Sequence, residues 1–172
     1  MDWQESELDL VNLLDDCFGF GGKVVTDLSM QYADIDVMDA RMHSYSVKLQ
    51  ESSSKTGNFA FETKLESTSD GRIIDGSFTK CQADYYTIFR TFNNVKWCFL
   101  CDTNKLKHFI NTNTYPNVTT RTQTELINNT GRKFNRGHCT LVPVKDLYYE
   151  DWVTVFHKPK DSWKLHIKRK GK

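Results

Sequence analysis

The chain has little of several features that mark other classes of protein. Among its 172 residues there are only 3 prolines and 9 glycines, and no apolar run is longer than a few residues. These absences argue against collagen-like, low-complexity and membrane-spanning chains. A hydrophobic content of 38% and an aromatic content of 13% favour a folded domain over disorder. The length leaves room for one domain with an appended arm.

Cysteine usage and the first residues indicate the compartment. The chain has five cysteines, an odd number, and it starts with the acidic segment MDWQESELDLVNLLDD. That segment lacks the basic and apolar regions of a signal peptide. We therefore expect reduced thiols inside a cell, no membrane association and a cytoplasmic location.

The nearly balanced charge, +1 overall, is unevenly distributed along the chain. Residues 1–40 hold ten acidic side chains and one lysine, whereas the last sixteen residues hold seven Lys or Arg and one Asp. A basic segment that contains Trp163 is typical of a phosphate-binding arm, because lysines neutralise backbone charge and aromatic rings stack on bases. The alternative is a solubilising terminus. We divide the chain into a domain of residues 1–156 and a basic C-terminal tail of residues 157–172.

Hydrophobic periodicity predicts a leading helix followed mainly by strands. Apolar residues recur at three- and four-residue steps over residues 3–18, which predicts a helix that Gly19 ends. Alternation or short apolar runs predict strands at residues 23–28, 32–38, 44–50, 59–65, 95–101 and 139–144. Short helices are predicted at residues 103–111 and 122–128, polar loops at residues 52–58, 67–77 and 111–120, and residues 80–93 fit either a helix or a strand. This order predicts an α/β or α+β domain.

Three successive predicted strands each carry charged residues on one face. Alternate residues of a strand share a face, so the charged faces carry Asp34 and Asp36, then Lys48 and Gln50, then Glu62. If these strands are neighbours in one sheet, carboxylates and lysines converge on one patch. Such a patch suits metal-assisted phosphodiester hydrolysis, in which acidic oxygens hold Mg²⁺ and a cation lies near the water or the phosphate.

The charged patch suggests a role for each residue. Asp36 would be the main metal ligand, Glu62 a second acidic contributor, and Lys48 the group that orients the nucleophile and offsets developing charge. Gln50 would orient a water molecule or a ligand. Glu7 lies on the apolar face of the predicted helix, where a carboxylate is costly unless it meets a metal, a cation or hydrogen-bond donors. The alternative is an antiparallel sheet with one solvated face, which shows the same alternation.

The order of these segments resembles the PD-(D/E)XK nuclease superfamily, in particular its phage-encoded members. The similar segments are Val47-Lys48-Leu49-Gln50, Lys55-Thr56-Gly57-Asn58, Phe59-Ala60-Phe61-Glu62 and Ala83-Asp84-Tyr85-Tyr86. The resemblance implies a restriction-endonuclease-like α/β fold, with a central mixed sheet flanked by helices. It also implies hydrolysis of nucleic-acid phosphodiesters with Mg²⁺ or Mn²⁺, and an acid from the leading helix, which Glu7 matches. A phage-encoded protein would act in the cytoplasm of the host cell.

The chain departs from the superfamily motif at two positions. Ile35 stands where the motif has a proline before Asp36, and Ser46 stands where it has an acid two residues before Lys48. The serine removes one expected metal ligand. Either Glu62 or Asp34 supplies the missing charge, or the site binds metal weakly, or the protein no longer cleaves.

A second register of the motif exists in the next strand. Glu62-Thr63-Lys64 also reads E-x-K. We prefer Lys48, because Asp36 and Lys48 lie on consecutive strands of a predicted hairpin, whereas Glu62 and Lys64 require a further strand crossing.

Basic residues in the second half of the chain suggest a DNA-binding surface. The segment RKFNRGH interleaves basic residues with Phe134, and the tail adds further lysines. The expected nucleic-acid-binding residues are Arg132, Lys133, Arg136, Lys164, Lys168 and Arg169. The alternative is ordinary solvated surface charge.

A zinc site is a weaker alternative. Cys98 and Cys101 form C-x-x-C, and the residues that could complete a site are Cys81, Cys139, His108 and His138. In a strand Cys98 and Cys101 point to opposite faces, which favours buried thiols.

The sequence thus predicts a Mg²⁺-dependent (endo)deoxyribonuclease that acts on DNA and forms a homodimer if it cuts both strands. The competing reading is a nuclease-fold DNA-binding or interaction protein without catalysis.

Overall fold

A long helix, α1 (Trp3–Phe18), opens the fold, as periodicity predicts. This computed structural model describes residues 3–127 and 133–168, and for residues 3, 121–127, 133 and 135 it describes the backbone. One face of α1 buries Leu10, Leu13 and Leu14, each at most 1% exposed. The helix ends where Gly19 takes a φ of 67° and its N–H donates to the carbonyl of Asp15 over 3.0 Å.

Short strands and helices follow α1 in alternation. The strands are β1 (Gly22–Val24), β2 (Val37–Asp39), β3 (Ser44–Leu49), β4 (Asn58–Glu66), β5 (Ile73–Asp75), β6 (Tyr85–Phe92), β7 (Val95–Asp102), β8 (Asn117–Ile127), β9 (Lys133–Pro143), β10 (Val153–Lys158) and β11 (Lys164–Leu165). The further helices are α2 (Leu28–Tyr32), α3 (Ser53–Thr56), α4 (Ser77–Lys80), α5 (Thr103–Thr112) and α6 (Val144–Tyr148).

The described strands form two sheets. The larger has seven strands in the order β1-β2-β3-β6-β7-β10-β11, and the smaller has four in the order β5-β4-β9-β8. In the larger sheet β3 and β6 are parallel and the other neighbours are antiparallel. The expectation of an α/β domain with a mixed sheet flanked by helices is therefore confirmed.

The seven-stranded sheet is buried on both faces. On one face Phe89 and Cys98 pack with the leucines of α1. On the other face Ile88 and Phe99 pack with Phe59 of β4 and with α5 and α6. The smaller sheet therefore covers the face opposite to α1 and brings β4 against the larger sheet.

The predicted strand over residues 32–38 is wrong. Residues 28–32 form α2 instead, because Asp27 caps this helix by accepting from the N–H groups of Ser29 and Met30. Asp34 then lies in a turn with a φ of 60°, a left-handed conformation that aspartate tolerates better than most residues. The strand begins only at residue 37, so Asp34 and Asp36 share no strand face.

The premise that three charged strands are neighbours in one sheet is also wrong. The hairpin of β2 and β3 forms as expected, but β4 pairs with β5 and β9 in the smaller sheet. Because β3 and β6 are parallel, the chain must cross over between them, and β4 belongs to that crossover. Its buried Phe59 and Phe61 turn towards the larger sheet.

In the second half of the chain one predicted helix is wrong and another is confirmed. The predicted helix at residues 122–128 is wrong, because β8 runs from Asn117 to Ile127 and pairs with β9, in line with its run of β-branched threonines. The ambiguous segment at residues 80–93 contains β6, and the predicted helix at residues 103–111 is confirmed as α5.

The predicted boundary between residues 156 and 157 falls inside β10. Beyond it, Trp163 is only 3% exposed and packs in the core on the α1 side, and its N–H donates to Asp16 Oδ2 over 2.8 Å. Its ring is therefore buried and not free to stack on bases. Among residues 3–127 and 133–168, no helix is long and apolar enough to cross a membrane.

Candidate active site

Lys48 and Asp34 form an ion pair at the end of α2. Lys48 Nζ lies 2.6 Å from Asp34 Oδ1, and Ser46 Oγ donates to Asp34 Oδ2 over 2.7 Å. Ser46 and Lys48 are alternate residues of β3 and therefore share a face. The left-handed turn thus directs the Asp34 carboxylate to Ser46 and Lys48.

Asp36 is held against the same strand. Its Oδ2 accepts from the N–H of Val47 over 2.7 Å, and its own N–H donates to the carbonyl of Tyr45 over 2.9 Å. Burial raises the pKa of Asp36, and the positive charge of Lys48 and the Val47 N–H partly offset that rise. Asp36 and Lys48 therefore meet, as the hairpin predicts.

Glu7 of α1 faces this pair from the other side. It is 7% exposed. Burial and the negative charge of Asp36 raise the pKa of Glu7 to about 7, against the opposing effect of the positive charge of Lys48. The prediction that Glu7 lies on the buried face of the helix is confirmed, and its neighbours are a carboxylate and an ammonium.

Glu62 reaches this region from the smaller sheet. Its Oε1 accepts from the N–H of Ser77 over 3.2 Å, and a Cβ on Gly76 would lie 2.5 Å from the Glu62 carbonyl oxygen, so only glycine admits this close approach of α4. Burial raises the pKa of Tyr86 well above its usual value, and nearby carboxylates, Asp34, Glu62 and Asp36, raise it further. The three acids therefore act on one buried phenol, although Asp34 and Asp36 precede β2 and Glu62 lies in β4 of the smaller sheet.

Gln50 connects the two sheets rather than facing open space. Its Nε2 donates to the carbonyl of Ala60 over 2.8 Å, and its Oε1 accepts from the N–H of Ala60 over 2.7 Å. Both ends of the amide thus bind the main chain of β4. Gln50 fixes the smaller sheet, and with it Glu62, relative to β3.

The other segments that resemble nuclease motifs also have structural roles. Gly57 ends α3 with a φ of 71° and leads the chain into β4. Asp84 Oδ2 accepts from both the N–H and the hydroxyl of Ser44, each over 2.8 Å, and so fixes the start of β3. These segments position the strands that carry Lys48 and Glu62.

Lys64, the lysine of the second motif register, lies on the surface and away from these acids. Lys64 is exposed on β4, where a bulge separates it from Glu62, and it pairs in register with His138 and Asp75. Lys48, by contrast, contacts Asp34 directly and lies within the charge environment of Glu7 and Asp36.

Of the predicted DNA-binding residues, those that the structure describes lie in β9 of the smaller sheet, in β11 of the larger sheet and just after β11. Arg136 of β9 is exposed and lies 3.4 Å from Glu66, and Lys164 is exposed on β11. Lys168 Nζ donates to the carbonyls of Glu150 and Val153, and burial lowers the pKa of Lys168. The backbone of Lys133 lies in β9. Arg132 and Arg169 lie outside the described residues.

The cysteines favour buried thiols over a zinc site. Cys98 packs in the core on the α1 side and Cys101 in the core on the other side, so the two point to opposite faces as predicted. Burial raises the pKa of both thiols, which favours the protonated form that does not bind metal. Within residues 3–127 and 133–168, no group of three or more His, Cys, Asp or Glu side chains is arranged to hold a metal ion.

Sequence patterns did not indicate two further residues that interact with these acids. Lys80 of α4 lowers the pKa of Asp36, and Tyr86 is the buried phenol whose pKa the carboxylates raise. The sequence holds no signal for Lys80, because α4 reaches Asp36 only through the crossover. Tyr86 belongs to the Ala83-Asp84-Tyr85-Tyr86 segment, which marked its position but not its role.

Comparisons of the chain with protein-family models, with curated proteins and with solved structures give no match. The feature that indicates a function is the cluster formed by Glu7, Asp34, Asp36, Lys48 and Glu62.

Proposed function

We propose that the protein is a metal-dependent nuclease that hydrolyses DNA phosphodiester bonds on a restriction-endonuclease-like fold. The observation that carries the proposal is the position of Glu7, which is 7% exposed and whose charge environment is formed by Asp36 and Lys48. A buried carboxylate is costly unless it takes up a proton or meets a cation. At neutral pH a divalent cation would satisfy both Glu7 and Asp36.

Glu7 and Asp36 would suit Mg²⁺ or Mn²⁺ as a site of two carboxylates, since residues 3–127 and 133–168 present no group of three. Mg²⁺ in proteins is usually held by one or two carboxylates, with water and substrate phosphate oxygens as its other ligands. Glu7 and Asp36 would be these carboxylates, and Glu62 would contribute from the smaller sheet, directly or through water. When bound, such an ion polarises the phosphate and makes water a better nucleophile.

Lys48 would act on the attacking water or on the scissile phosphate. An ammonium that is already held in place stabilises charge in the transition state without reorganisation. Ser46 and Lys48 hold Asp34 against β3, since both of these β3 side chains bind the Asp34 carboxylate. In this proposal Asp34 supplies the charge that the motif acid would have supplied at position 46, and Gln50 is a positioning residue.

The substrate would be DNA bound by exposed basic residues such as Arg136 and Lys164. One such cluster cuts one strand, so cleavage of a duplex would require a homodimer that presents two clusters.

A nuclease-fold DNA-binding or interaction protein without catalysis is the second candidate. The observation that favours it is the ion pair itself: Lys48 is already bound to Asp34, and Ser46 replaces a ligand. An ammonium engaged in this way is less available to a phosphate.

Labelled linear, nicked and four-way DNA, incubated with Mg²⁺ or Mn²⁺ and then with EDTA, separates the two candidates. The nuclease proposal expects nicks that need the metal and disappear in Asp36→Asn, with Asp161→Asn on the exposed surface as the matched control. Binding without any metal-dependent nick would favour the second candidate.

A further inference from the structure

Arg90 of β6 is a buried cation without a hydrogen-bonded anion. The residue is 7% exposed, its Nε has no hydrogen-bond partner in the described chain, and burial lowers the pKa of its guanidinium. Glu51 is the acid that acts on Arg90, but its two carboxylate oxygens accept from the N–H and the hydroxyl of Thr91. The Arg90 guanidinium also lies 5.2 Å from the centre of the Phe92 ring. A guanidinium stacked on a ring keeps its terminal N–H donors available in its own plane, so this position favours an anionic ligand.

Arg90 lines a cavity of about 480 Å³ beside the smaller sheet. The cavity lies between β6 and β7 of the larger sheet on one side and the segment from Pro143 to Tyr149 on the other. Its volume falls within the range of small-molecule sites, roughly 300 to 1,000 Å³. It is separate from the Glu7, Asp36 and Lys48 cluster, none of whose residues line it.

The walls of this cavity are aromatic and carry a second cation. Phe92 and Tyr149 are 46% and 50% exposed, and Lys145 is exposed beside them. Trp97 also lines the cavity, and its buried indole Nε1 has no acceptor in the described chain. Aromatic walls stack on planar rings, whereas Arg and Lys bind phosphate, Arg through a bidentate fork.

We propose that this cavity binds one nucleotide, with the base against the aromatic walls and the phosphate on Arg90 and Lys145. A ligand that joins an aromatic ring to a phosphate would contact both the aromatic walls and the two cations of the cavity. The occupant is either a free nucleotide or one unit of a single strand. Arg90 lies on the same face of β6 as Tyr86, four residues away, or roughly 13 Å along the strand.

Calorimetric titration of the full chain in EDTA with the four deoxynucleoside monophosphates tests this site without any metal. We expect saturable one-to-one binding, with thymidine and inorganic phosphate each at least tenfold weaker than dTMP. Lys145→Ala and Tyr149→Ala, both at exposed positions, should each weaken dTMP at least tenfold, and Lys105→Ala on α5 should not. Arg90→Gln should abolish binding. If Arg90→Gln does not fold, Lys145→Ala and Tyr149→Ala still test the proposal.

Competition with oligothymidylate and with an abasic oligonucleotide identifies the source of the nucleotide. Displacement of dTMP by oligothymidylate but not by the abasic strand assigns a unit of single-stranded DNA, and no displacement by either assigns a free nucleotide. Absence of saturable nucleotide binding, or equal binding in Lys145→Ala and Tyr149→Ala, would overturn the proposal. Neither result depends on whether the protein cleaves DNA.

Discussion

Lys48 Nζ lies 2.6 Å from Asp34 Oδ1, and the two residues are 14 positions apart in the sequence. The contact joins the end of β3 to the turn after α2, where Asp34 has a left-handed backbone. It fixes the ammonium in the charge environment of Asp36 and Glu7, which is why the proposed site uses Lys48 rather than Lys64.

Replacing each lysine by alanine tests this assignment. We expect Lys48→Ala to reduce metal-dependent nicking at least a hundredfold, because it removes a positioned charge at the reacting phosphate. Lys64→Ala should reduce it only a few fold, since Lys64 is exposed and lies outside the cluster. Nicking rates of supercoiled DNA at saturating Mg²⁺ measure both. If Lys64→Ala were the inactive variant, the site would lie one strand further along the chain.

Exchanging the acid between positions 34 and 46 tests whether Asp34 replaces the motif acid. Ser46 is fully buried and contacts Asp34, so Ser46→Asp alone should destabilise the fold by about 2 kcal/mol or more through two neighbouring buried carboxylates. Asp34→Asn alone should lower nicking.

The double variant Asp34→Asn/Ser46→Asp should regain both stability and nicking, because it restores one acid beside Lys48. Asparagine tolerates the left-handed backbone at position 34, which keeps the turn intact. Urea unfolding and nicking rates report the two properties separately. A double variant no better than its parents would indicate that Asp34 does not act in place of the motif acid.

Stability should fall as pH rises from about 5 to 8 in EDTA because of Glu7. Its pKa is raised from 4.5 to about 7 in the fold, so the folded state holds the proton more tightly and loses this advantage as pH rises. Glu7→Gln should therefore stabilise the protein at pH 8 and not at pH 4, as urea unfolding at both values would show. An equal effect of the substitution at both pH values would contradict the raised pKa.

The pair of hydrogen bonds between Gln50 and Ala60 should matter more for stability than for metal binding. Gln50→Ala removes both bonds and leaves polar main-chain groups of β4 without partners, which we expect to cost about 1 to 3 kcal/mol in unfolding free energy. The exposed Gln82→Ala serves as the control. An unchanged urea midpoint would mean that the link between the sheets does not hold the fold together.

Local patterns predicted the elements whose partners lie nearby. The leading helix, the hairpin of β2 and β3, and the buried position of Glu7 follow from periodicity and turns alone. The placement of β4 in a second sheet could not be predicted, because alternation marks a strand but not its neighbours. Asp34 reaches Lys48 through a capped helix and a left-handed turn, which strand periodicity conceals.

The proposed nuclease depends above all on the binding of a divalent ion by Glu7 and Asp36, which a calorimetric titration with Mn²⁺ at pH 8 measures. We expect one saturable site in the native protein and in Asp161→Asn, and at least tenfold weaker binding in Glu7→Gln and in Asp36→Asn. Native-like Mn²⁺ binding in these two variants, or no saturable binding by the native protein, would contradict it.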